Sequence, residues 1–465
     1  MEIRIHFFRM PLIRMKEMMT VLIVVLFCSV STKISAQKKS DNANSKKFRA
    51  SVVKINITPD KPKQLLGYSA RVSTGIHDSI YHRIVALDDG TTQFFLVSTE
   101  LCYISPSEYD HMASVLKKKL GVSPINFWWA VTHTHSAPEV GEPGVAEAFL
   151  GDRYKHPVDT AYTSFIERTL LDGIAEALKK LEPARLGVGW GYSQANKNRR
   201  NFDENDSLNF YPLGRPVDRR IGLIRLEKND GSPLAFIANY AMHGTVLGGD
   251  FVQISGDAPG IVSDYVEKKT GAPVLFINGA AGSIAPVYTV YPDPESGHLT
   301  EFRVLLGDKI LDANKKIIST SDSVKLFTGA ITVESPRKPN LTWPSSLDGY
   351  TVARNGVDLV KLPIRFLRLN DEVAIWSAPI ELFCEISNEI RGRSPFPYTF
   401  YYGYTNGWLG YLPAENEWKY GGYEVELVSP FTKKMSRDLP NAVSAYLDGE
   451  MKSGYSNSVP AKKPR

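Results

Sequence analysis

The sequence has 465 residues, of which 43% are hydrophobic and 23% charged, ordinary values for a globular protein. This length suits one large α/β domain or two average domains. Residues 1–36 carry 5 Lys and Arg and 2 Asp and Glu, which leaves 50 basic and 48 acidic side chains and a net charge of +2 for the rest. Nucleic-acid-binding proteins need a strongly basic surface, so this near-neutral body argues against that class.

The N-terminus has the pattern of a secretory signal. Basic residues precede an apolar run over 21–27, and the chain then turns polar and reaches a small residue, Ala36, before Gln37. The run is too short to span a bilayer comfortably, which disfavours an uncleaved anchor. Cys28 raises the alternative of a lipoprotein, but the bulky Phe27 precedes it. We predict a signal peptide over 1–36 and export to the periplasm or the extracellular space.

Most of the rest of the chain is predicted to form one large domain. Residues 37–47 are polar and predict a flexible spacer, 48–451 form the predicted domain, and 452–465 form a polar tail. We find no internal repeat and no linker inside the domain. Beyond the signal, the cysteines are Cys102 and Cys384, and either one disulfide or two buried free thiols fits them.

Strand-like and helix-like patterns alternate along the domain, which predicts a layered α/β fold. A hairpin is expected across Asn229-Asp230-Gly231. The predicted strands are 94–97, 126–131, 223–226, 235–240, 273–278, 362–369, 372–376 and 398–402, and the predicted helices are 105–120, 165–181, 257–269 and 381–390.

Polar side chains that could carry chemistry follow several of these strands. His133 and His135, in Thr132-His133-Thr134-His135-Ser136-Ala137-Pro138, follow an apolar strand, and in an extended segment both would face the same side. His243 follows another strand in the same way. Glu381 follows the strand at 372–376 and is predicted in a first helical turn, where a glutamate often serves only as a cap. Each feature alone fits ordinary core or surface residues equally well.

A final cluster is rich in glycine and tyrosine. It consists of Gly403-Tyr404-Thr405-Asn406-Gly407-Trp408-Leu409-Gly410-Tyr411-Leu412-Pro413 and the nearby Tyr420-Gly421-Gly422-Tyr423-Glu424-Val425. Glycines and aromatic residues after a strand favour a loop over a site, although turn glycines with packed tyrosines are common.

Taken in this order, the segments resemble the neutral/alkaline non-lysosomal ceramidase family, from about residue 48 to 450. The family motif THTHSGP corresponds to THTHSAP here, and the GYxNxYxxY segment to 403–411. The resemblance implies four metal ligands, which are His133, His243, Glu381 and Tyr411. It also implies three catalytic-site residues, which are His135, Tyr423 and Arg199.

The same resemblance implies a fold and a reaction. The expected fold is a large single α/β domain with layered mixed β-sheets flanked by helices, as in the catalytic domain of these ceramidases. The expected cofactor is Zn²⁺, which activates a water for attack on the amide of ceramide or a related N-acyl lipid. His135 would move a proton, and Tyr423 and Arg199 would stabilise the oxyanion. The expected partner is an acylated small molecule, with the membrane surface as a candidate peripheral contact.

Two departures from the family pattern keep other functions open. The family segment GDxSP appears as Gly282-Ser283-Ile284-Ala285-Pro286, so Ala285 replaces a serine implicated in catalysis and Ser283 replaces the aspartate. Family members also usually carry a C-terminal immunoglobulin-like domain, for which this sequence leaves no room. One alternative is a zinc-dependent deacylase or esterase acting on a non-lipid substrate such as an acylated sugar. Another is an inactive binding protein on the same scaffold.

Overall fold

The computed structural model describes residues 47–151, 156–200, 215–289, 296–339 and 341–458. The predicted signal peptide, nearly all of the predicted spacer and the end of the predicted tail lie outside these residues. Across the described ranges, no helix combines the length and the apolar character that crossing a membrane requires.

The described residues contain 21 strands. In chain order they are β1 (Arg49–Asn56), β2 (Gln64–Leu65), β3 (Arg71–Val72), β4 (Gly75–Ile76), β5 (Tyr81–Asp88), β6 (Gln93–Thr99), β7 (Phe127–Val131), β8 (Glu182–Tyr192), β9 (Asn196–Asn198), β10 (Arg220–Lys228), β11 (Pro233–Tyr240), β12 (Gln253–Ile254), β13 (Val274–Asn278), β14 (Ile284–Pro286), β15 (Leu326–Pro336), β16 (Thr351–Arg354), β17 (Val357–Leu369), β18 (Val373–Ser377), β19 (Glu381–Leu382), β20 (Tyr398–Tyr402) and β21 (Tyr411–Leu412).

Helices connect and cover these strands. They are α1 (Pro106–Leu120), α2 (Val145–Leu150), α3 (Thr160–Lys179), α4 (Asp257–Thr270), α5 (Asp308–Lys315), α6 (Cys384–Arg393), α7 (Tyr423–Glu426) and α8 (Met435–Ser458). Helix α8 continues past the domain boundary expected at Met451. Ser105 caps α1 because its side chain accepts a hydrogen bond from the Ser107 backbone N–H, and Pro106 fits the first helical position.

Two sheets form the body of the protein. The larger has eight strands in the order β13, β11, β10, β8, β1, β5, β6, β7, with parallel pairs at both ends (β11 with β13, β6 with β7) and antiparallel pairs between. The smaller has the order β15, β17, β18, β20, and β16 also pairs with β17. Its β18 and β20 are parallel. The predicted hairpin between β10 and β11 is confirmed.

The packing of the core explains why strands such as β6 and β7 are continuously apolar in sequence. Alternate residues of a strand face opposite sides, so Phe95 and Trp129 pack with helices α1 and α3, whereas Phe94 and Trp128 pack with Phe400 of the smaller sheet. Both faces of β6 and β7 are therefore buried. Helices α6 and α8 cover the other face of the smaller sheet. This arrangement confirms the expected α/β fold of layered mixed sheets flanked by helices.

The sheets bring several strand ends to one place. Strands β6 and β7, β11 and β13, and β18 and β20 form three parallel pairs, whose carboxyl ends are a common location for functional residues. Thr134 bridges to Gly244, which joins the segments after β7 and β11, and Ala130 bridges to Thr405, which joins β7 to the segment after β20. The residues that follow β7, β11, β18 and β20 therefore meet.

The prediction of a helix over 381–390 is wrong, and the difference changes how Glu381 is held. The helix predicted over 381–390 begins only at Cys384, and Glu381 lies in the two-residue strand β19. The backbone N–H groups of Glu381 and Phe383 donate to the Gly410 and Leu412 carbonyls, so the segment pairs with β21. Glu381 is therefore fixed by a tertiary strand pair, not by a helix terminus.

Close packing of the two sheets predicts that Gly222→Ala destabilises the protein. A Cβ at Gly222 in β10 would lie 2.5 Å from the Phe400 ring. We expect a loss of about 1–3 kcal/mol in the free energy of unfolding, the usual effect of overpacking a core. Denaturant unfolding measures it. The control is Gly392→Ala in α6, where a Cβ meets nothing within 4 Å, and which should be neutral or stabilising by up to about 1 kcal/mol. Equal effects of the two variants would contradict this packing.

Candidate metal centre

Three predicted ligands converge on one buried point. Glu381 Oε2 lies 3.4 Å from His133 Nε2 and 3.1 Å from His243 Nε2. The three ligand atoms all lie within 4.8 Å of one another, and all three side chains are buried. Two imidazoles and a carboxylate at these separations are suited to hold a metal ion.

The other ring nitrogen of each histidine is already engaged. His133 Nδ1 donates to the Cys102 carbonyl at 2.7 Å, and His243 Nδ1 donates to the Ala281 carbonyl at 2.7 Å. Such bonds orient each ring and keep a proton on Nδ1, so Nε2 is the nitrogen at which a cation would bind, in place of any proton held there. Both Nε2 atoms are therefore oriented as ligands toward Glu381.

The backbone at His133 is not extended, contrary to the expectation from sequence. Its φ is 66°, in the left-handed region that residues other than glycine rarely adopt. The His133 N–H donates to the Leu101 carbonyl, and the His135 N–H donates to the Gly244 carbonyl. His133 and His135 nevertheless face the same point, with 3.2 Å between their Nε2 atoms. They converge because the turn is held in place, not because a strand alternates.

His135 is enclosed by the segment that follows β2. Its ring meets Tyr68 edge-on at 4.8 Å, and its carbonyl accepts a hydrogen bond from Arg71 at 2.6 Å. Gly67 has a φ of 111°, and a Cβ there would lie 2.5 Å from the imidazole. His135 Nδ1 has no hydrogen-bond partner among the described residues. The ring is thus held by packing, with Nε2 directed at the centre.

Tyr411 lies beside Glu381 because β19 and β21 pair in parallel with these two residues in register. Its hydroxyl is 3.4 Å from His243 Nε2 and accepts a hydrogen bond from Arg199 at 3.1 Å. The structure therefore brings together all four residues predicted as ligands. Their assignment to a metal stays a prediction.

Arg199 and Tyr423 lie next to this group. Arg199 also donates to the Gly282 carbonyl at 2.9 Å, and its guanidinium lies 5.4 Å from the Tyr423 ring centroid. Its Nε is buried and has no partner among the described residues. Tyr423 packs edge-on to Tyr411 at 5.7 Å and is 44% exposed. Arg199 thus lies beside the centre, and Tyr423 lies at its rim.

A buried network of ion pairs contacts Arg199. Arg200 lies 3.3 Å from Glu417 and 2.7 Å from Glu424, and Glu417 also pairs with Arg215 at 2.7 Å. The second oxygen of Glu424 is 3.4 Å from Arg199. Since buried charges are tolerated only when paired, this network ties the end of β9 to the segment that carries Tyr423.

Burial and neighbouring charges shift the pKa values of these side chains in different directions. Burial penalises charge at both His133 and Glu381, yet the carboxylate raises the pKa of His133 to about 10, and His133 holds the pKa of Glu381 well below its usual range. Burial and the Arg199 cation lower the pKa of His243 to about 4. Burial and the other two histidines lower the pKa of His135 well below its usual value. His135 is therefore neutral near pH 7.

The centre opens into a cavity of about 660 Å³, within the usual range for small-molecule sites. Much of its wall is apolar or aromatic, contributed by Tyr68, Tyr103, Phe149, Trp408, Leu427 and Val428. His133, His135, Glu381, Tyr411, Arg199 and Tyr423 also line it.

The departure from the family motif lies on the same wall. Ala285 lines the cavity and pairs with Lys197 of β9, so no hydroxyl is present at this position. Ser283 instead serves the fold, because its hydroxyl accepts a hydrogen bond from the Cys384 N–H at 3.2 Å, at the start of α6. Cys102 and Cys384 are both buried free thiols.

The donor set fits a metal ion of borderline hardness. Two Nε2 atoms of oriented rings, a carboxylate oxygen and a phenol oxygen are nitrogen and oxygen ligands that suit zinc. A candidate set that includes Cys102, His133 and His135 shares His133 with this one. It is less suited, because His133 Nδ1, the nitrogen nearer the thiol, is engaged by the Cys102 carbonyl.

Sequence reasoning missed two residues that contact Glu381. Tyr404 donates from its hydroxyl to Oε2 at 3.1 Å, and Trp408 donates from its indole to Oε1 at 2.9 Å. Both belong to the segment predicted to be a loop over a site. Nothing in that segment separates them from its other aromatic residues without the position of Glu381.

Comparisons with known proteins agree with this fold. The family model for neutral/alkaline non-lysosomal ceramidase, N-terminal, matches residues 52–282. Neutral ceramidase B of Dictyostelium discoideum is 28% identical over 223 residues, which is 45% of this chain and 30% of that protein. Neutral ceramidase A of the same organism is 27% identical over 265 residues, 53% and 36% of the two chains. The chain thus spans about a third of the length of these relatives.

Solved structures give the same result over a larger share of the chain. The crystal structure of neutral ceramidase from Pseudomonas aeruginosa superposes with a TM-score of 0.70 at 18% identity, covering 91% of this chain and 77% of that one. A ceramidase complexed with C2 superposes with a TM-score of 0.68, also at 18% identity, covering 90% and 77%. At this identity the likeness establishes the fold. The family match adds that residues 52–282 are similar to the N-terminal part of neutral/alkaline non-lysosomal ceramidases.

Proposed function

We propose that the protein is a zinc-dependent hydrolase that cleaves the amide bond of ceramide or a related N-acyl lipid. The observation that carries this proposal is the convergence of His133, His243 and Glu381, of which His133 and Glu381 line a largely apolar cavity. The match of residues 52–282 to the ceramidase family model and the names of the relatives, which are neutral ceramidases, support the same reaction.

Residues His133, His243, Glu381 and Tyr411 would hold the ion. A bound zinc ion would supply a Lewis acid and a water that is nucleophilic near neutral pH. The network of contacts around these side chains, with both Nδ1 atoms bonded to carbonyls, keeps them in position before any ion binds.

The remaining residues handle protons and charge. His135 is neutral at pH 7 and directs Nε2 at the centre, so it can accept a proton from the attacking water and return it to the leaving amine. Arg199 lines the cavity with a side chain that is 23% exposed, so its guanidinium can donate to the carbonyl oxygen as that oxygen gains negative charge. Tyr423, at the rim of the cavity, can donate a hydrogen bond from its hydroxyl to the same oxygen. This assignment requires no hydroxyl at Ala285, because the nucleophile is a water.

The walls of the cavity favour a lipid over a polar substrate. Tyr103 and Trp408 stack at 4.5 Å, and Phe149 meets Trp408 edge-on at 6.2 Å, which forms an aromatic surface beside the centre. An alkyl chain gains free energy on such a surface, whereas an acylated sugar would lose hydrogen bonds to water. The presence of a full candidate ligand set argues against an inactive binding protein.

Chelation tests the metal dependence. We expect the protein to hydrolyse a fluorescent long-chain N-acylsphingosine, to lose activity on chelation and to regain it with zinc. His133→Ala and His243→Ala should each lower kcat at least about 100-fold, since a catalytic metal contributes several kcal/mol. The matched control is His111→Ala, an exposed histidine paired with Glu167 that should retain activity. Activity that resists chelation, or that survives His133→Ala, would refute the metal mechanism.

A series of acyl lengths tests the substrate class. We expect kcat/KM to rise from N-acetyl to long-chain N-acylsphingosine, by up to about fourfold for each CH₂ that the cavity buries fully, which corresponds to about 0.8 kcal/mol. The comparison includes an O-acetylated sugar at matched concentration. Faster turnover of acetyl groups, or of the sugar ester, would support the deacylase alternative and contradict the lipid assignment.

A further inference from the structure

The segment between β20 and β21 contacts the candidate metal centre through Tyr404 and Trp408. Its backbone is unusual, because Tyr404 has a φ of 51° and Asn406 a φ of 66°. Both residues are buried. Left-handed conformations of such residues persist only when the surrounding contacts hold them, and they concentrate at functional sites.

Strand β7 holds this segment in register. Asn406 exchanges two bonds with Trp129: its side-chain oxygen accepts from the Trp129 N–H, and its own N–H donates to the Trp129 carbonyl, both at 2.8 Å. The Tyr404 carbonyl accepts from the Val131 N–H at 3.2 Å. His133 follows the same strand two residues later. The position of Tyr404 is therefore coupled to that of His133 through a short, rigid stretch of backbone.

Tyr404 contacts two of the candidate ligands at once. Its ring stacks on the His133 imidazole, with 4.1 Å between centroids and 27° between planes. Its hydroxyl donates to Glu381 Oε2, the same oxygen that faces His133 and His243. Trp408 donates to the other oxygen, so one segment supplies a donor to each oxygen of the carboxylate. These contacts fix both the plane of the carboxylate and the tilt of the imidazole.

We propose that Tyr404, assisted by Trp408, is a positioning residue that sets the metal affinity of this centre by orienting Glu381 and His133. This proposal rests on the metal-dependent function proposed above. Groups that orient metal ligands contribute about 10–100-fold to affinity in other metalloproteins. Tyr404 is not among the residues that line the cavity, whereas Trp408 is. Tyr404 therefore acts on the ligands without contacting the substrate.

The test is zinc affinity, measured by competition with a chromophoric chelator on the full-length protein. We expect Tyr404→Phe to weaken zinc binding by about 10–100-fold, because it removes the bond to Oε2 and leaves the ring. At saturating zinc, kcat and KM should return to near wild-type values. Trp408→Phe should also weaken zinc binding, but it should change KM as well, because Trp408 lines the cavity. The control is Tyr402→Phe, a buried tyrosine of β20 that packs against Trp128 and should leave both quantities unchanged.

The outcomes separate this proposal from the proposed function. A zinc affinity of Tyr404→Phe within about twofold of wild type would overturn the positioning role. Complete loss of zinc binding in a folded variant would overturn it too, because it would indicate a direct ligand. Wild-type protein that binds no zinc would overturn the proposed function and this proposal together. Wild-type protein that binds zinc and hydrolyses the lipid, with unchanged variants, would overturn this proposal alone.

Discussion

Glu381 places a carboxylate in the interior, and the surrounding structure is organised to compensate that charge. Transfer of an ion from water into a protein costs several kcal/mol unless partners replace its hydration. The replacement here comes from separate parts of the chain: His133 after β7, His243 after β11, and Tyr404 and Trp408 after β20. Each partner lies within 3.4 Å of the carboxylate. The chain segment that carries it must therefore be positioned accurately.

That requirement explains the local features around the centre. The left-handed backbone at His133 and at Tyr404 turns two chain segments sharply inward, and neighbouring backbone hydrogen bonds hold each turn. Gly67 is needed for a similar reason, since any side chain there would occupy the place of the His135 ring. The parallel pairs at the sheet ends bring these turns to the same edge. Packing of the two sheets thus determines how accurately the ligands are placed before an ion binds.

Much of this architecture could be predicted from sequence, for physical reasons that can be stated. The apolar runs of β6 and β7 predicted buried strands because both faces of these strands are covered. The histidines were found because they stand directly after such runs. The element containing Glu381 was assigned wrongly, since a strand pair of two residues depends on a partner 30 positions away in β21 and leaves no local pattern. The role of Tyr404 was missed for the same reason.

A metal-edge diffraction experiment tests the central claim most directly. Crystals of the protein grown with zinc would be measured above and below the zinc absorption edge. We predict one strong anomalous peak per chain at about 2.0–2.2 Å from the Nε2 atoms of His133 and His243, with an oxygen of Glu381 also within ligand distance. A peak on Cys102 instead of Glu381, or the absence of a peak at this point in zinc-saturated crystals, would contradict the account.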